Sequence, residues 1–262
     1  MARSKHLPDA EVWGSVGRSA SLGDGGPRAA EEIADIIQEL IITQRLTEGA
    51  RLPSERDLAQ MLSTSRPTVS QAIRILVVRG LVESRRGSGA YVSRRPEASL
   101  ATSMHLLLNL NQDSAQKLNE LRLWLELIGI ARAIEFATEE EIARGRRALE
   151  QLRRSAGDTA AWMSADTLFH STLVWASDNP FLASIFESVH STLIGYEYGD
   201  WVERGTTPRW LEREAADALM AVHEPILDAL IERDVDAGRA AVLRHHEEMA
   251  EHLRAMRSAA AG

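Results

Sequence analysis

Two short segments, Ser54-Glu55-Arg56-Asp57-Leu58-Ala59-Gln60-Met61-Leu62 and Ser65-Arg66-Pro67-Thr68-Val69-Ser70-Gln71-Ala72-Ile73-Arg74-Ile75-Leu76-Val77, separated by Ser63-Thr64, decide the fold of the first part of the chain. Ser54 is suited to cap a helix, because its hydroxyl can accept a free amide of the first turn, and Asp57 follows three residues on. Ser65 repeats the signal. Pro67 is tolerated in the first turn of the second helix, where an amide would be unpaired in any case, and Gly80 stops that helix. A short helix, a tight turn and a second helix make a helix-turn-helix.

Outward from this core, Ile33, Ile36, Ile37, Leu40 and Ile41 recur at helical spacing and predict a preceding helix over about 28–45, broken by the segment from Gly49 to Pro53. On the other side, Leu81-Val82-Glu83-Ser84 and Ala90-Tyr91-Val92-Ser93 read as two strands joined by Arg85-Arg86-Gly87-Ser88-Gly89, which is a wing. Residues 1–27, rich in Gly and Ser with Trp13 as the one large anchor, predict a disordered or loosely docked tail. Pro96 and the polar residues after it predict a linker. Beyond it no strand pattern is found, and helices are predicted over about 99–110, 114–137, 139–156, 159–177, 180–198, 211–232 and 234–257. Thr138-x-x-Glu141 has capping-box spacing, and Asp158 and Asn179-Pro180 give further starts. The expected fold is therefore mainly α: a winged helix-turn-helix of three helices and a two-stranded wing over 28–95, then an all-α bundle of six or seven helices over 96–262.

Composition sets the boundaries of function. The chain has 262 residues, 44% hydrophobic and 26% charged, and no cysteine, so disulfides, thiolate metal sites and a catalytic cysteine are excluded. Apolar runs such as Leu106-Leu107-Leu108 are far too short for a membrane span, and no signal peptide is apparent, so a cytoplasmic protein without membrane association is expected. The net charge of −8 hides a split. Residues 51–95 hold nine arginines and three acidic residues, so positive charge is concentrated where a polyanion can be met.

The stretch from Leu52-Pro53-Ser54-Glu55-Arg56 through Ser65-Arg66-Pro67-Thr68-Val69 to Arg86-Gly87-Ser88-Gly89-Ala90-Tyr91-Val92 resembles the winged helix of the GntR family of bacterial regulators. The second half resembles the all-helical effector domain of its FadR-type branch, on Asp166-x-x-Phe169-His170, Asn179-Pro180-Phe181, His223 followed by Ile226-Leu227-Asp228-Ala229, and His245. Together the two resemblances cover about residues 28–255. Many members have Arg-Glu after the Thr-Val of the recognition helix. Here Ser70-Gln71 stand instead, so DNA binding is expected but not the family's commonest operator.

On this reading the start of the recognition helix faces the major groove with Ser65, Arg66, Thr68 and Ser70. Arg66 is the candidate for base readout, since a guanidinium bonds bidentately to guanine. Arg51, Arg56 and Arg74 are candidate positioning contacts alongside Thr68, and Arg85, Arg86 and Gly87 form the wing tip. One module covers a half-site, so a homodimer on palindromic double-stranded operator DNA is expected.

Asp166 and His170, four apart on one helix face, can converge on one ion. The resemblance implies that His223 and His245 complete the set, a nitrogen-rich site for Zn²⁺, or for Ni²⁺ or another first-row ion. Periodicity alone favours His246 at least as well as His245. Pro225 falls inside the helix carrying His223 and is expected to kink it. Four protein ligands leave room for a small organic acid effector, with Arg122 as a second carboxylate contact; the alternative for Arg122 is a surface ion pair with Glu126. The expected function is a transcription regulator, by family default a repressor, and not an enzyme. The other reading is a helical metalloenzyme with an accessory DNA-binding module.

Overall fold

In a computed structural model the protein is described over residues 27–43, 45–93, 97–110 and 114–260. The expected tail over 1–27 lies outside them apart from Pro27, as does Pro96 of the expected linker. The chain divides into two compact units, 1–99 and 100–262.

In the first unit the two serines do what their position asks. Ser54 is extended and its hydroxyl accepts the Asp57 N–H at 3.2 Å, opening α2 (Glu55–Met61) after α1 (Pro27–Ile42). Ser65 accepts the Thr68 N–H at 3.2 Å and opens α3 (Arg66–Val78). Ile33, Ile37 and Ile41 of α1 are buried in one cluster with Leu58, Leu62, Val69, Leu76, Val82 and Val92, so this unit has a core of its own. Strands β1 (Val82–Arg85) and β2 (Gly89–Val92) pair antiparallel with Val82 opposite Val92 and Arg85 opposite Gly89. The turn at the wing tip is thus two residues shorter than the sequence suggests, one on each side. Only Arg86, Gly87 and Ser88 form the turn, Gly87 taking a φ of 73° that suits glycine. The segment before Pro53 is not merely a break. The Leu52 N–H donates to the Ala90 carbonyl and the Val92 N–H to that of Ala50, both at 2.9 Å, so the segment forms an isolated antiparallel bridge to β2, with Arg51 opposite Tyr91.

The second unit comprises α4 (Glu97–Leu110) from Leu100 onward, α5 (Ser114–Phe136), α6 (Glu139–Arg154), α7 (Thr159–Trp175), α8 (Pro180–Arg204), α9 (Ala216–Glu232) and α10 (Val235–Ala260), with two short 3₁₀ turns before α9. Capping explains three of the helix starts: Thr138 and Glu141 form a reciprocal capping box at α6, Asp158 caps α7 and Asn179 caps α8. α8 runs six residues beyond the expected end, through Gly195 and Gly199, and stops at Gly205 in left-handed conformation. α9 starts late because no side chain caps it, and it continues through Pro225 without interruption as far as Glu232.

α5 is the central helix, packing against α7, α8, α9 and α10. Its buried stripe begins with two charges, Arg122 and Glu126, and continues as Gly129, Ile130, Ala133 and Ile134. The apolar part joins Trp162, Phe169, Leu173, Ile226 and Leu230 in the main core. Gly129 sets the α5–α7 approach, since a Cβ there meets Val174 Cγ1 at 2.7 Å. Val174 is β-branched and stiff at χ1, so the contact is not relieved by rotation. Gly129→Ala is therefore expected to lower stability by about 1–2 kcal/mol, the overpacking cost of about 1–3 kcal/mol outweighing up to about 1 kcal/mol of helix propensity. Chemical denaturation checks this; an unchanged or raised midpoint means that α5 and α7 separate freely at that point.

Candidate metal centre and nucleic-acid interface

Asp166 and His170 lie one turn apart on α7, His223 is on α9 and His245 on α10, all buried. One ligand atom from each falls within 4.8 Å of the others. The Asp166 Oδ1–His223 Nε2 distance is 3.2 Å, His223 Nε2–His245 Nε2 is 3.1 Å and His170 Nε2–Asp166 Oδ1 is 3.7 Å. Ligands on one ion at bond lengths of about 2.0–2.2 Å are separated by roughly 3–4.4 Å, so a shift of a few tenths of an ångström brings all four into its shell.

The donor pattern fits a cation better than a hydrogen-bonded cluster. The His223 Nδ1–H donates to the Leu219 carbonyl at 2.7 Å, since a carbonyl can only accept, and this leaves Nε2 facing Asp166 and His245. His170 Nδ1 faces Glu126 Oε1 in a short contact, and its Nε2 is buried without a hydrogen-bond partner. The Nε2 atoms of two imidazoles and a carboxylate oxygen thus converge on one point, where each can turn a lone pair to a cation and positive charge offsets the crowding.

Two outer residues had no signal in the sequence. His190 on α8 donates Nε2–H to Asp166 Oδ2 at 2.9 Å and leaves Oδ1 for the cluster. Glu126 entered only as an exposed partner for Arg122, yet it is 0% exposed and also bonds His246 Nε2 at 2.7 Å. Arg122 is 4% exposed, so the surface ion pair is ruled out, and its Nη2 lies 3.3 Å from His246 Nδ1. Spacing was ambiguous between His245 and His246 because both are buried: His245 faces His223 and the cluster, and His246 faces α5.

Burial, the largest influence on both carboxyls, raises their pKa, but the neighbouring histidines pull Asp166 and Glu126 well below the usual range. For His170 burial is outweighed by Glu126 and Asp166, and its pKa is raised. Burial and the neighbouring His223 and His170 drive His245 well below the usual value, while burial brings His190 to about 4, as burial and Arg122 do for His246.

Beside the cluster is a cavity of about 270 Å³ walled by Gln116, Asn119, Arg122, Trp162, Asp166 and His245 among others. Arg122 Nε and Trp162 Nε1 are buried N–H donors without a protein acceptor.

On the first unit, Arg66 projects from the start of α3 with its side chain 73% exposed, its Nε bonded to Glu55 Oε2 at 3.2 Å. Ser65, Arg74, Arg51 and Arg56 are exposed and Ser70 is half-buried, its hydroxyl accepting from Arg74 at 3.3 Å. Arg85 stacks over Tyr91, and Arg86 and Gly87 form the open tip. Thr68 departs from expectation: it is 6% exposed and its hydroxyl sits 2.7 Å from that of Ser65. Its place beneath the cap makes it a brace for the helix start and takes it off the surface that DNA would meet.

The buried neutral histidines give a pH dependence with a definite sign. A histidine whose folded pKa is about 4 and whose unfolded pKa is about 6.5 binds fewer protons when folded between those values, so stability falls as pH drops from about 6.5 to 4, by up to about 1.4 kcal/mol per pH unit for each such residue. Thermal melts of metal-free protein are expected to show this fall, and His190→Gln, which can still donate to Asp166, is expected to make it shallower. An identical slope in the variant means that His190 does not titrate as a buried neutral group.

The model of the FCD domain matches residues 117–255, and that of the bacterial regulatory proteins of the gntR family matches residues 29–92. The chain is 30% identical over 236 residues to the Uxu operon transcriptional regulator of Escherichia coli K12, covering 86% of this chain and 87% of that protein. It is 29% identical over 240 residues to the HTH-type transcriptional repressor NanR of Salmonella newport, covering 88% of each. Among solved structures, Streptococcus agalactiae GntR superimposes with a TM-score of 0.60 at 26% identity, over 84% of this chain and 98% of that one. These relatives are regulators, not enzymes, and the metalloenzyme reading is set aside. Among the described residues no helix is long and apolar enough to cross a membrane. With the FCD match spanning more than half of the chain and the Uxu regulator similar along most of its length, the protein belongs to the GntR family of transcription regulators, in the branch that joins the winged helix to a helical FCD domain.

Proposed function

We propose that the protein is a dimeric, cytoplasmic repressor that binds a palindromic operator through α3 and the wing and is controlled by a small organic acid held beside a transition metal ion. The observation that carries this reading is the cavity shared by Arg122, Asp166 and His245, which brings two unpartnered N–H donors to the edge of a four-ligand cluster. Three imidazoles and one carboxylate suit Zn²⁺, with Ni²⁺ or another first-row ion also accommodated. When bound, the ion supplies positive charge and open coordination positions for a carboxylate and a hydroxyl. Arg122 offers the acid a forked donor, Trp162 offers an indole N–H, and Ile194, Tyr198 and Met249 give the cavity an apolar wall. Repression and the dimer are supported by the relative named as a repressor and by the half-site that one winged helix covers. The expected division of the chain is a DNA-binding domain over 28–95 and an effector-binding and dimerisation domain over 96–262.

In the DNA-binding unit Arg66 exchanges its bond to Glu55 for a base edge, and Arg51, Arg56, Arg74, Arg85 and Arg86 meet phosphates or groove walls around it. Arg66→Ala is expected to cost about 1–3 kcal/mol of specific binding and to flatten preference at one position per half-site, whereas Arg51→Ala weakens all sequences nearly equally and lowers the salt slope. Gel-shift titrations on operator variants check both. Undiminished discrimination by Arg66→Ala contradicts the assignment.

Sensing is tested by operator titrations of wild type and His170→Ala with and without a panel of organic acids. The wild type is expected to change operator affinity with the right acid, by roughly 5- to 150-fold, and His170→Ala to lose the response while its acid-free binding persists, because the winged helix has a separate core. A variant that responds like wild type contradicts a role for the ion in sensing.

A further inference from the structure

We propose that Glu126 and His246 are positioning residues of the metal centre, forming with Arg122 a directional hydrogen-bond chain that runs from the wall of the effector cavity to His170 and fixes which nitrogen of His170 faces the ion. The proposal rests on the metal reading above.

Direction follows from what each group can do. A guanidinium has five N–H donors and no acceptor. Arg122 Nη2 lies 3.3 Å from His246 Nδ1, so that nitrogen accepts and the His246 proton is on Nε2. His246 Nε2 lies 2.7 Å from Glu126 Oε2, and the carboxylate accepts it. The other carboxylate oxygen, Oε1, faces His170 Nδ1 and accepts in turn. His170 Nε2 is then the nitrogen turned toward Asp166 and the cluster, where it has no hydrogen-bond partner and is placed to offer its lone pair to an ion. Running the chain the other way would require Arg122 to accept from His246, which a guanidinium cannot do.

Burial makes the chain consequential. Arg122, Glu126, His170 and His246 are all buried, so water does not substitute for a missing link. α5 supplies Arg122 and Glu126 one turn apart, and α10 lays His246 between them. His245, the preceding residue on α10, reaches the cluster on the other side. One helix contact therefore sets both a metal ligand and the support of another. Because Arg122 is also in the cavity wall, an acid that draws the guanidinium toward itself weakens the first link, and occupancy of the cavity is felt at His170.

The experiment measures Zn²⁺ affinity by competition with a chromophoric chelator, together with the visible absorption of the Co²⁺-loaded protein, in the full chain. Glu126→Gln places an N–H₂ against His246 or His170 and is expected to lower Zn²⁺ affinity about 10- to 100-fold, the usual effect of removing an outer-shell partner. Arg122→Lys still only donates, so it is expected to keep affinity within about threefold and the Co²⁺ bands in place. Arg122→Met is similar in length and less costly to bury but has no donor; it is expected to lose affinity roughly tenfold and to shift the bands. A packing role favours Met over Lys, so the order of the two variants separates the explanations. Equal Zn²⁺ affinities for Arg122→Lys and Arg122→Met, or the reverse order, overturn the proposal, as does wild-type affinity in Glu126→Gln. If Glu126→Gln does not fold by circular dichroism, the Arg122 pair decides. A wild type that takes up neither ion overturns the metal reading itself, whereas a wild type that binds and variants that bind equally well overturn only the chain.

Discussion

The interior of the second unit is organised by one constraint: groups that can only accept or only donate hydrogen bonds determine where imidazole lone pairs point. The Leu219 carbonyl fixes His223, and the Glu126 carboxylate facing His170 Nδ1 turns the free nitrogen of His170 inward. His190 takes one oxygen of Asp166 and leaves the other. Five helices, α5, α7, α8, α9 and α10, place side chains around this point, so it lies where the bundle must be held together. Burying so many polar groups is costly unless each is satisfied. An ion at the centre, as proposed, would convert that cost into cohesion and make its binding free energy part of the stability of the domain.

The sequence made the scaffold legible because caps and breakers act locally. Ser54, Ser65, Thr138, Asp158 and Asn179 each open the helix their position announces, since the acceptor they offer satisfies amides within three residues. What escaped was non-local. Residues 49–52 pair with β2 through backbone groups that leave no side-chain pattern, and α9 begins late because no cap marks its start. The metal candidates Asp166, His170, His223 and His245 came from spacing and family resemblance and meet at one point. Glu126 and His190 escaped because a polar residue turned into a core looks, in one dimension, like an interruption of an apolar face. His246 was visible as buried, but adjacent residues of a helix wedged between two others are both buried, and only the packing of α9 and α5 on opposite sides separates their roles.

The two units divide the work in a way their cores make plain. The winged helix buries its own cluster of Ile33, Leu58, Val69 and Leu76, so recognition of DNA needs no contribution from the ion to its folding. Thr68, buried under the Ser65 cap, shows how the recognition helix is held: its first turn is tied internally and offers Arg66 from a rigid base. On the proposed function, control of operator affinity requires only that an acid bind two arrangements of the protein unequally, since equal affinity shifts nothing.

The central claim, that three imidazoles and a carboxylate converge on one cation, is tested most directly by X-ray absorption spectroscopy of the protein carrying one equivalent of Zn²⁺. The expected first shell contains about three imidazole nitrogens and at least one oxygen at roughly 2.0–2.2 Å, with the multiple scattering of imidazole rings. A shell of solvent oxygens without imidazole scattering would contradict the account, because the lone pairs of His170, His223 and His245 would then have to be explained without an ion between them.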